Sequence, residues 1–380
     1  MIGRKSALLL AALAAAACAE SPIGAPDGFE PQFATNAQAG GHVYTMNNAA
    51  AGNEIVHYAR ATDGSLTFVA NYATAGTGTG GGLGNQGGIA LSAGGDLLVA
   101  VNAGSNDFTL FRRMRDGSLA IVDREPSGGT MPISVTIHAR WIYVLNAGGD
   151  GNISGFVRVP GGVDPIAGST KPLSQSAPGP AQIQFTRSGR SLIVTEKGTN
   201  RILSYAVGPT GEAGDPVVNN SAGATPFGFD IARNDLIIVS EAVGGAPGAG
   251  LVSSYRLGDD GTLHTISPAV PDFQSAPCWI VITRNGRFAY TTNTASNSIS
   301  GYVVRGNGEL RLRDASGVTA NTDAGPIDAA IARGNGSYLY VLNSGAGSIQ
   351  VFRVTGEGAL ETLPGAATGL VAGSNGLVAI

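Results

Sequence analysis

The chain has 380 residues, of which 58 are glycine and 13% are charged, and its formal net charge is −4. Glycine at this density, without a long amphipathic helical pattern, is typical of an all-β protein with many turns. The low charge and the lack of any run of Lys or Arg argue against nucleic acid as a partner.

The chain begins with the features of an export signal. Residues 1–18 combine a basic start, an apolar run over 7–17 and small residues at the end. The run is too short to span a bilayer. Cys18 indicates a lipoprotein signal with lipid attached to that cysteine, although Ala15 stands where Leu or Val is usual, whereas the Ala-x-Ala pattern at 17–19 indicates plain secretion. We favour the lipoprotein. Either pattern predicts a protein outside the cytoplasm, in the periplasm or cell envelope, or secreted.

A linker rich in Pro, Gly and Ala is predicted for residues 19–40, and one domain for residues 41–380. Once the signal is removed, Cys278 is the only cysteine, so an internal disulfide is not possible. About 340 residues are enough for one large closed domain held together by packing alone.

The domain is built from repeats of short strands. In the clearest repeat, strands are predicted at 280–283, 288–293 and 298–304, and Asn307-Gly308 then supplies a tight hairpin. In every repeat the second strand ends at a polar residue, and these residues are 55, 44, 50, 45, 52 and 50 positions apart: Asn47, Asn102, Asn146, Glu196, Glu241, Asn293 and Asn343. Four short strands recurring at this period are typical of the blades of a β-propeller.

The first strand of each repeat opens with Pro or a substitute, followed by apolar residues three and five positions later. Pro is tolerated there because the first position of a strand can forgo a ladder donor. The opening residues are Gln86, Pro132, Pro180, Pro226, Pro277, Pro326 and Asn375. The last of these lies at the C-terminus, and no comparable strand precedes residues 42–46. We therefore predict an all-β, seven-bladed β-propeller of four-stranded antiparallel blades, in which the C-terminal strand completes the first blade.

The most glycine-rich stretch, residues 76–88, contains Gly-x-Gly spacings. Since no helix follows it, it is not a phosphate-binding fingerprint. As the connection into the second blade, it is predicted to line the mouth of the central channel.

The second strands resemble a known family. The sequences YVLN at 143–146 and 340–343 and YTTN at 290–293 are similar to the YVTN-type repeats of the seven-bladed lactonase-family propellers, which include 6-phosphogluconolactonases and 3-carboxymuconate lactonising enzymes. The resemblance covers residues 41–380, and it implies the propeller fold and a lactone-opening activity. In the family motif, Gly-Pro-Arg-His opens the innermost strand of the blade whose next strand ends in Glu. In this chain Glu196 matches that Glu, but residues 179–182 are Gly-Pro-Ala-Gln, so the Arg and His are replaced.

Lactone opening needs a general base and donors for the developing oxyanion. We therefore predict Glu196 and Glu241 as catalytic residues. Gln86 and Asp328 also lie near the starts of innermost strands. The predicted ligand contacts, which would suit a small polar ring compound, are Asn102, Asn146, Gln182, Trp279, Asn293 and Asn343. Alternatively, the Asn residues cap turn backbone groups where strands end.

Other chemistry has little support. The four histidines show no metal-ligand spacing, no Ser-His-Asp pattern is found, and Cys278 is expected to be a buried inert thiol. No cofactor or metal is predicted. Arg187, Arg233, Arg284 and Arg333 occupy equivalent turns on the face opposite the predicted pocket, and they either bind an anionic partner or are solvated turn residues.

Two functions remain. The first is an exported hydrolase of lactones or cyclic esters; the second is a non-catalytic envelope propeller that binds a ligand or a protein. Export makes the phosphorylated, cytosolic 6-phosphogluconolactone an unsuitable substrate. A monomer is expected, with membrane contact only through the predicted lipid.

Overall fold

The structure is a computed structural model that describes residues 40–332 and 338–380. The predicted export signal with Cys18, the linker up to residue 39, and Arg333 lie outside the described residues. None of the helices in the described part of the chain has the length and apolar character needed to cross a membrane.

Within the described ranges, thirty strands form seven antiparallel sheets. In chain order the first twelve strands are β1 (Gly41–Met46), β2 (Glu54–Arg60), β3 (Leu66–Ala73), β4 (Ile89–Leu91), β5 (Leu97–Asn102), β6 (Asp107–Arg113), β7 (Leu119–Pro126), β8 (Pro132–His138), β9 (Trp141–Asn146), β10 (Asn152–Val159), β11 (Gly162–Pro165) and β12 (Lys171–Pro172). The next eight are β13 (Pro180–Phe185), β14 (Ser191–Glu196), β15 (Arg201–Ala206), β16 (Val217–Asn220), β17 (Pro226–Ile231), β18 (Leu236–Glu241), β19 (Leu251–Leu257) and β20 (Leu263–Pro271). The last ten are β21 (Pro277–Ile282), β22 (Phe288–Asn293), β23 (Ser298–Val304), β24 (Leu310–Leu312), β25 (Ala320–Asn321), β26 (Pro326–Ile331), β27 (Tyr338–Asn343), β28 (Ser348–Val354), β29 (Leu360–Thr368) and β30 (Asn375–Ala379).

Each sheet is one blade, and the blades are numbered in chain order. Blades 2, 4, 5 and 7 are β4–β7, β13–β16, β17–β20 and β26–β29, with strand order equal to chain order from the channel outward. Blades 3 and 6 begin at β8 and β21, and each carries a short extra strand that pairs with its third strand. The predicted seven-bladed, all-β propeller is confirmed.

Blade 1 is completed from the far end of the chain. Its order is β3-β2-β1-β30, and Tyr44 in β1 pairs with Val378 in β30. Beyond the strand, His42 and Ile380 exchange two backbone hydrogen bonds of 2.8 Å. Since β30 covers the inner edge of β1, the ring closes without an unpaired edge at the seam, as predicted.

Neighbouring blades are joined by hydrogen bonds from buried tyrosines to hairpin glycines. Tyr44 in blade 1 donates its hydroxyl to the carbonyl of Gly117 in blade 2 at 2.7 Å, and Tyr340 in blade 7 donates to Gly64 in blade 1 at 2.8 Å. Gly64 has φ +94°, and a Cβ there would lie 2.6 Å from the ring of Tyr338. Glycine is therefore required both by the hairpin and by the packing of the next blade.

Blade 1 also contains two histidines in contact, of which His57 is fully buried and His42 is half-buried. Nδ1 of His42 lies 3.0 Å from Nε2 of His57, and the ring of His57 stacks on Tyr44 with centroids 4.7 Å apart. Burial, and secondly the neighbouring His42, lower the pKa of His57 from 6.5 to about 4. The site therefore holds the neutral imidazole and disfavours the imidazolium.

The lowered pKa of His57 predicts a loss of stability in acid. The unfolded chain binds a proton near pH 6.5, whereas the folded chain resists protonation down to about pH 4. Stability is therefore complete above pH 6.5 and falls as the pH drops towards 4. Between pH 7 and 4.5, the wild type should lose about 2 kcal/mol more unfolding free energy than His57→Phe. Denaturant titration at both pH values measures this. His264→Phe, at an exposed histidine, is the control, and equal pH slopes for wild type and His57→Phe would refute the prediction.

Candidate functional site

Part of the glycine-rich stretch enters the central channel. Asn85 and Gln86, which we call the channel plug, lie across the axis. Gln86 donates its Nε2 to the carbonyl oxygen of Ile280 at 2.9 Å and accepts the amide of Ile280 on Oε1 at 3.2 Å. The carbonyl of Asn85 accepts the indole N–H of Trp279 at 2.6 Å. A segment leading into blade 2 is thus bound to blade 6 on the other side of the ring.

The plug also bonds to three further blades. Asn85 accepts from Asn375 in blade 1 at 2.8 Å and donates to the carbonyl of Ile133 in blade 3. The amide of Gln86 donates to Ala181 in blade 4 at 3.1 Å. The sequence pattern placed Gln86 at the start of an innermost strand; instead β4 begins at Ile89, because Gln86 is used to bridge the channel. The plug separates an upper cavity, on the face where the second strands end, from a lower cavity.

Polar side chains cover the inner edges of the blades around the plug. Gln182 in blade 4 accepts the amide of Phe229 in blade 5 at 2.7 Å and donates to its carbonyl at 2.9 Å. The corresponding residue of blade 5 is Gly228, where a Cβ would lie 2.1 Å from Oε1 of Gln86. Gln86 of the channel plug therefore bonds to Ile280 of blade 6 in the same way that Gln182 bonds to Phe229 of blade 5. Such contacts satisfy backbone groups that would otherwise face the channel unpaired.

The upper cavity has a volume of about 370 Å³ and no charged lining side chain among the described residues. Its apolar wall comes from Trp279, Leu83 and Ile327. Its polar groups come from Ser344, Ser374 and Asn375. The side-chain oxygen of Asn375 is buried and has no hydrogen-bond partner in the described part of the chain. The cavity therefore suits a small uncharged molecule with both apolar and polar edges.

Lys197 holds the loop that forms one wall of this cavity. Its Nζ donates to the carbonyl of Gly84 and lies 4.6 Å from the ring centroid of Phe227. Burial lowers the pKa of Lys197 to about 8. Lys197 is not among the residues predicted from the sequence, although it is one of only three lysines in the chain and follows Glu196 where other blades have a neutral residue.

The predicted catalytic carboxyls lie away from both cavities, in different blades. Glu241 is fully buried and accepts hydrogen bonds from Ser221 (2.8 Å), the amide of Gly223 (2.8 Å), Ser253 (2.7 Å) and Tyr255 (3.0 Å). Glu196 is equally buried and accepts from both Ser174 groups and from Thr199. Each carboxyl thus ties the end of a second strand to the loop arriving from the previous blade. Their role as general bases stays a prediction.

The four predicted asparagines occupy equivalent buried positions. Each donates its amide to a residue five to seven positions further along the chain, at the start of the third strand. The shortest such bonds from Asn102, Asn146, Asn293 and Asn343 are to Asp107 (2.6 Å), Asn152 (2.7 Å), Ser300 (2.8 Å) and Gln350 (3.1 Å). Of the eight predicted site residues in the body of the chain, only Gln182 and Trp279 therefore reach the channel. The assignment of the asparagines as ligand contacts stays a prediction.

The lower cavity opens on the opposite face and has a volume of about 490 Å³. It is lined by Gln86, Asp230 and Asp328, with Arg187 and His138 at the far ends of their strands. Arg187 donates its Nε to the carbonyl of Ile231 at 3.2 Å. The predicted binding of an anionic partner by the arginine ring is not tested by this arrangement and stays a prediction.

Burial rather than a neighbouring base sets the chemistry of Cys278. Cys278 is 7% exposed, and burial raises the pKa of its thiol to about 11. No group of three or more His, Cys, Asp or Glu side chains in residues 40–332 and 338–380 is arranged to hold a metal ion.

Together these features define a closed seven-bladed β-propeller with a plugged axis and a cavity at each mouth. Residues 242–370 match the model of the lactonase family of seven-bladed β-propellers, so the predicted resemblance to that family is confirmed. None of the curated proteins matches the chain.

Solved structures of low sequence identity share the fold. The periplasmic gluconolactonase of Pseudomonas aeruginosa is 14% identical with a TM-score of 0.67, covering 88% of this chain and 98% of that one. Candidate 6-phosphogluconolactonases of Bacteroides fragilis and Bacteroides uniformis are 17% and 19% identical, with TM-scores of 0.67 and 0.68. They cover 90% and 88% of this chain and 98% of their own. At these identities the likeness shows the fold.

Proposed function

We propose that the upper cavity recognises a small, uncharged, hydroxylated lactone or related cyclic ester. The observation that carries this proposal is the lining of the cavity. Trp279 and Ile327 offer apolar contact to a ring, the hydroxyl of Ser344 can donate to an ester carbonyl, and the unpartnered oxygen of Asn375 can accept from a ring hydroxyl. A phosphorylated lactone would bring its charge into a cavity whose described lining has no cation.

This function has two forms: the protein either hydrolyses the bound ester or binds it without turnover. Hydrolysis is favoured by the family match. Binding without turnover is favoured by the geometry, because no titratable side chain lines the described cavity and the oxygens of Glu196 and Glu241 already accept several hydrogen bonds each. From the sequence alone, we also propose that the protein lies in the periplasm or cell envelope and that it is a monomer.

Lactone binding can be followed by tryptophan fluorescence. The chain has two tryptophans, so Trp141→Phe leaves Trp279 as the only indole. In that background, D-glucono-δ-lactone should change the emission in a saturable way, and 6-phosphogluconolactone should bind at least tenfold more weakly. Ser344→Phe fills the cavity and should weaken binding at least tenfold. Val371→Phe, at a residue 52% exposed, is the matched control and should bind like its parent. No saturable change, or equal binding by Ser344→Phe, contradicts the proposal.

Turnover is measured separately, by acid release at constant pH. If the protein hydrolyses the lactone, Glu196→Gln and Glu241→Gln show whether either carboxyl acts as the base. Equal rates for all three proteins clear both carboxyls of that role. Binding without acid release establishes the second form of the function.

A further inference from the structure

The lower cavity contains an acidic side chain that the fold does not use fully. Asp328 lies on the innermost strand of blade 7 and is 2% exposed. Its Oδ1 accepts the backbone amide of Ala329 at 2.8 Å. Its Oδ2 is buried and makes no hydrogen bond of ordinary geometry in the described part of the chain, although the backbone amide of Leu377 in blade 1 lies near the carboxyl. An unsatisfied buried carboxyl oxygen is costly, and this one belongs to a residue that lines the cavity.

Comparison with equivalent positions shows that Asp328 is unusual. Gln182 has the same place in blade 4, and both ends of its amide bond to the next blade. In blade 3, Ser134 accepts the amide of Ile183 at 3.1 Å. A carboxylate has no N–H to donate to a carbonyl of the next blade, as Gln182 does. The amide of Leu377 in blade 1 stabilises the charged form of Asp328, but burial opposes it with a larger effect. The residue therefore fits the inter-blade contact less well than Gln would.

The surroundings determine what could complete the site. The walls near Asp328 are apolar and include Ile89, Ala330 and Val378. A hard metal ion takes six or more oxygen ligands, and the described residues offer no group of three acidic or histidine side chains. An organic ammonium needs fewer acceptors and gains from apolar walls.

The other charged groups of the cavity are compatible with a cation beside Asp328. Both oxygens of Asp230 are occupied by backbone amides, those of Ile231 and Ile282, at 2.8 Å each. Arg187 lies five strand positions further towards the open face than Asp328, which corresponds to about 16 Å along the channel. His138 is at that same outer end.

We propose that the lower cavity binds a small organic amine, whose ammonium group pairs with Oδ2 of Asp328. The apolar walls hold the hydrocarbon part, and the open face admits the ligand without passage through the plug. The site is separate from the upper cavity and does not depend on lactone recognition.

Burial adds a measurable signature to this proposal. It raises the pKa of Asp328 well above its usual range, so the empty site favours the neutral carboxyl. Pairing with an ammonium favours the carboxylate. The proton leaves Asp328 for the buffer, and the bound amine keeps its own.

Calorimetric titration with cyclohexylammonium chloride at pH 7 tests the site, in two buffers of different ionisation enthalpy. We expect saturable binding of one amine, accompanied by a measurable release of protons. Cyclohexanol, which has the same ring without the charge, should bind at least tenfold more weakly. Calcium chloride should not bind.

Variants identify the residue responsible. Asp328→Asn keeps the shape and should lose both the proton release and at least tenfold in affinity. Asp230→Asn changes a carboxyl of the same cavity whose oxygens are occupied, and it should bind the amine within about twofold of wild type. Circular dichroism of each variant shows that it is folded. Absence of amine binding by folded wild type, equal affinity of wild type and Asp328→Asn, or tighter binding of calcium overturns the proposal.

Discussion

Removal of residues 375–380 should leave a chain that does not fold cooperatively. This deletion takes away β30, which is the innermost strand of blade 1 and covers the inner edge of β1. It also removes the buried side chains of Leu377 and Ala379, and the contact of Asn375 with the plug. Apolar burial alone contributes about 1.5–3 kcal/mol for a large side chain. Since domain stability is about 5–15 kcal/mol, the loss of a whole strand at the seam should consume most of it.

Thermal melting followed by circular dichroism measures this effect. The truncated chain should show no sharp transition, and a synthetic peptide with the sequence of residues 375–380 should restore one in a concentration-dependent way. A scrambled peptide of the same composition is the control. A truncated protein that melts at the wild-type temperature would show that the seam does not hold the ring.

Replacement of Glu241 by Leu should strongly destabilise the folded propeller. Four donors point at its carboxyl, from Ser221, Gly223, Ser253 and Tyr255. Leucine leaves all four unsatisfied in a position without solvent access, and each buried unpaired group costs about 1–3 kcal/mol. Because partial relaxation recovers some contacts, we expect a loss of about 4–6 kcal/mol.

The matched control is Glu54→Leu in blade 1. Glu54 is half-buried and accepts from Asn47 at 3.0 Å and Asn71 at 3.2 Å, with water available to replace both. We expect this variant to lose less than about 1 kcal/mol. Denaturant titration of both variants decides the matter. A loss below about 1 kcal/mol for Glu241→Leu would mean that its hydrogen bonds do not stabilise the fold, and a functional role would then be favoured.

Most of the fold could be predicted because the strands carry their own signals. The predicted strands at 288–293 and 298–304 match β22 and β23 at both ends. Asn293 marks the end of β22, and Asn307-Gly308 marks the turn that follows β23. The strand predicted at 280–283 begins three residues earlier, at Pro277, because proline can pair at the first position through its carbonyl. Closure by the C-terminus followed from the repeat count.

The site could be predicted only in outline. Glu196 and Glu241 stand out in the sequence, but their partners Ser174 and Ser221 come from loops without a repeating pattern. The bonds of Gln86 to Ile280 join residues 194 positions apart, and glycine-rich sequence carries no periodicity that would indicate them. These contacts are set by the assembly of the ring, which local sequence does not encode.

The position of the plug has a consequence for traffic along the propeller axis. One dipeptide bonds to blades 1, 3, 4 and 6, so a clear passage from face to face would require several of these bonds to break together. A molecule that enters from one side must leave by the same side. The two ends of the axis are thus separate compartments, and each can evolve its own selectivity without altering the other.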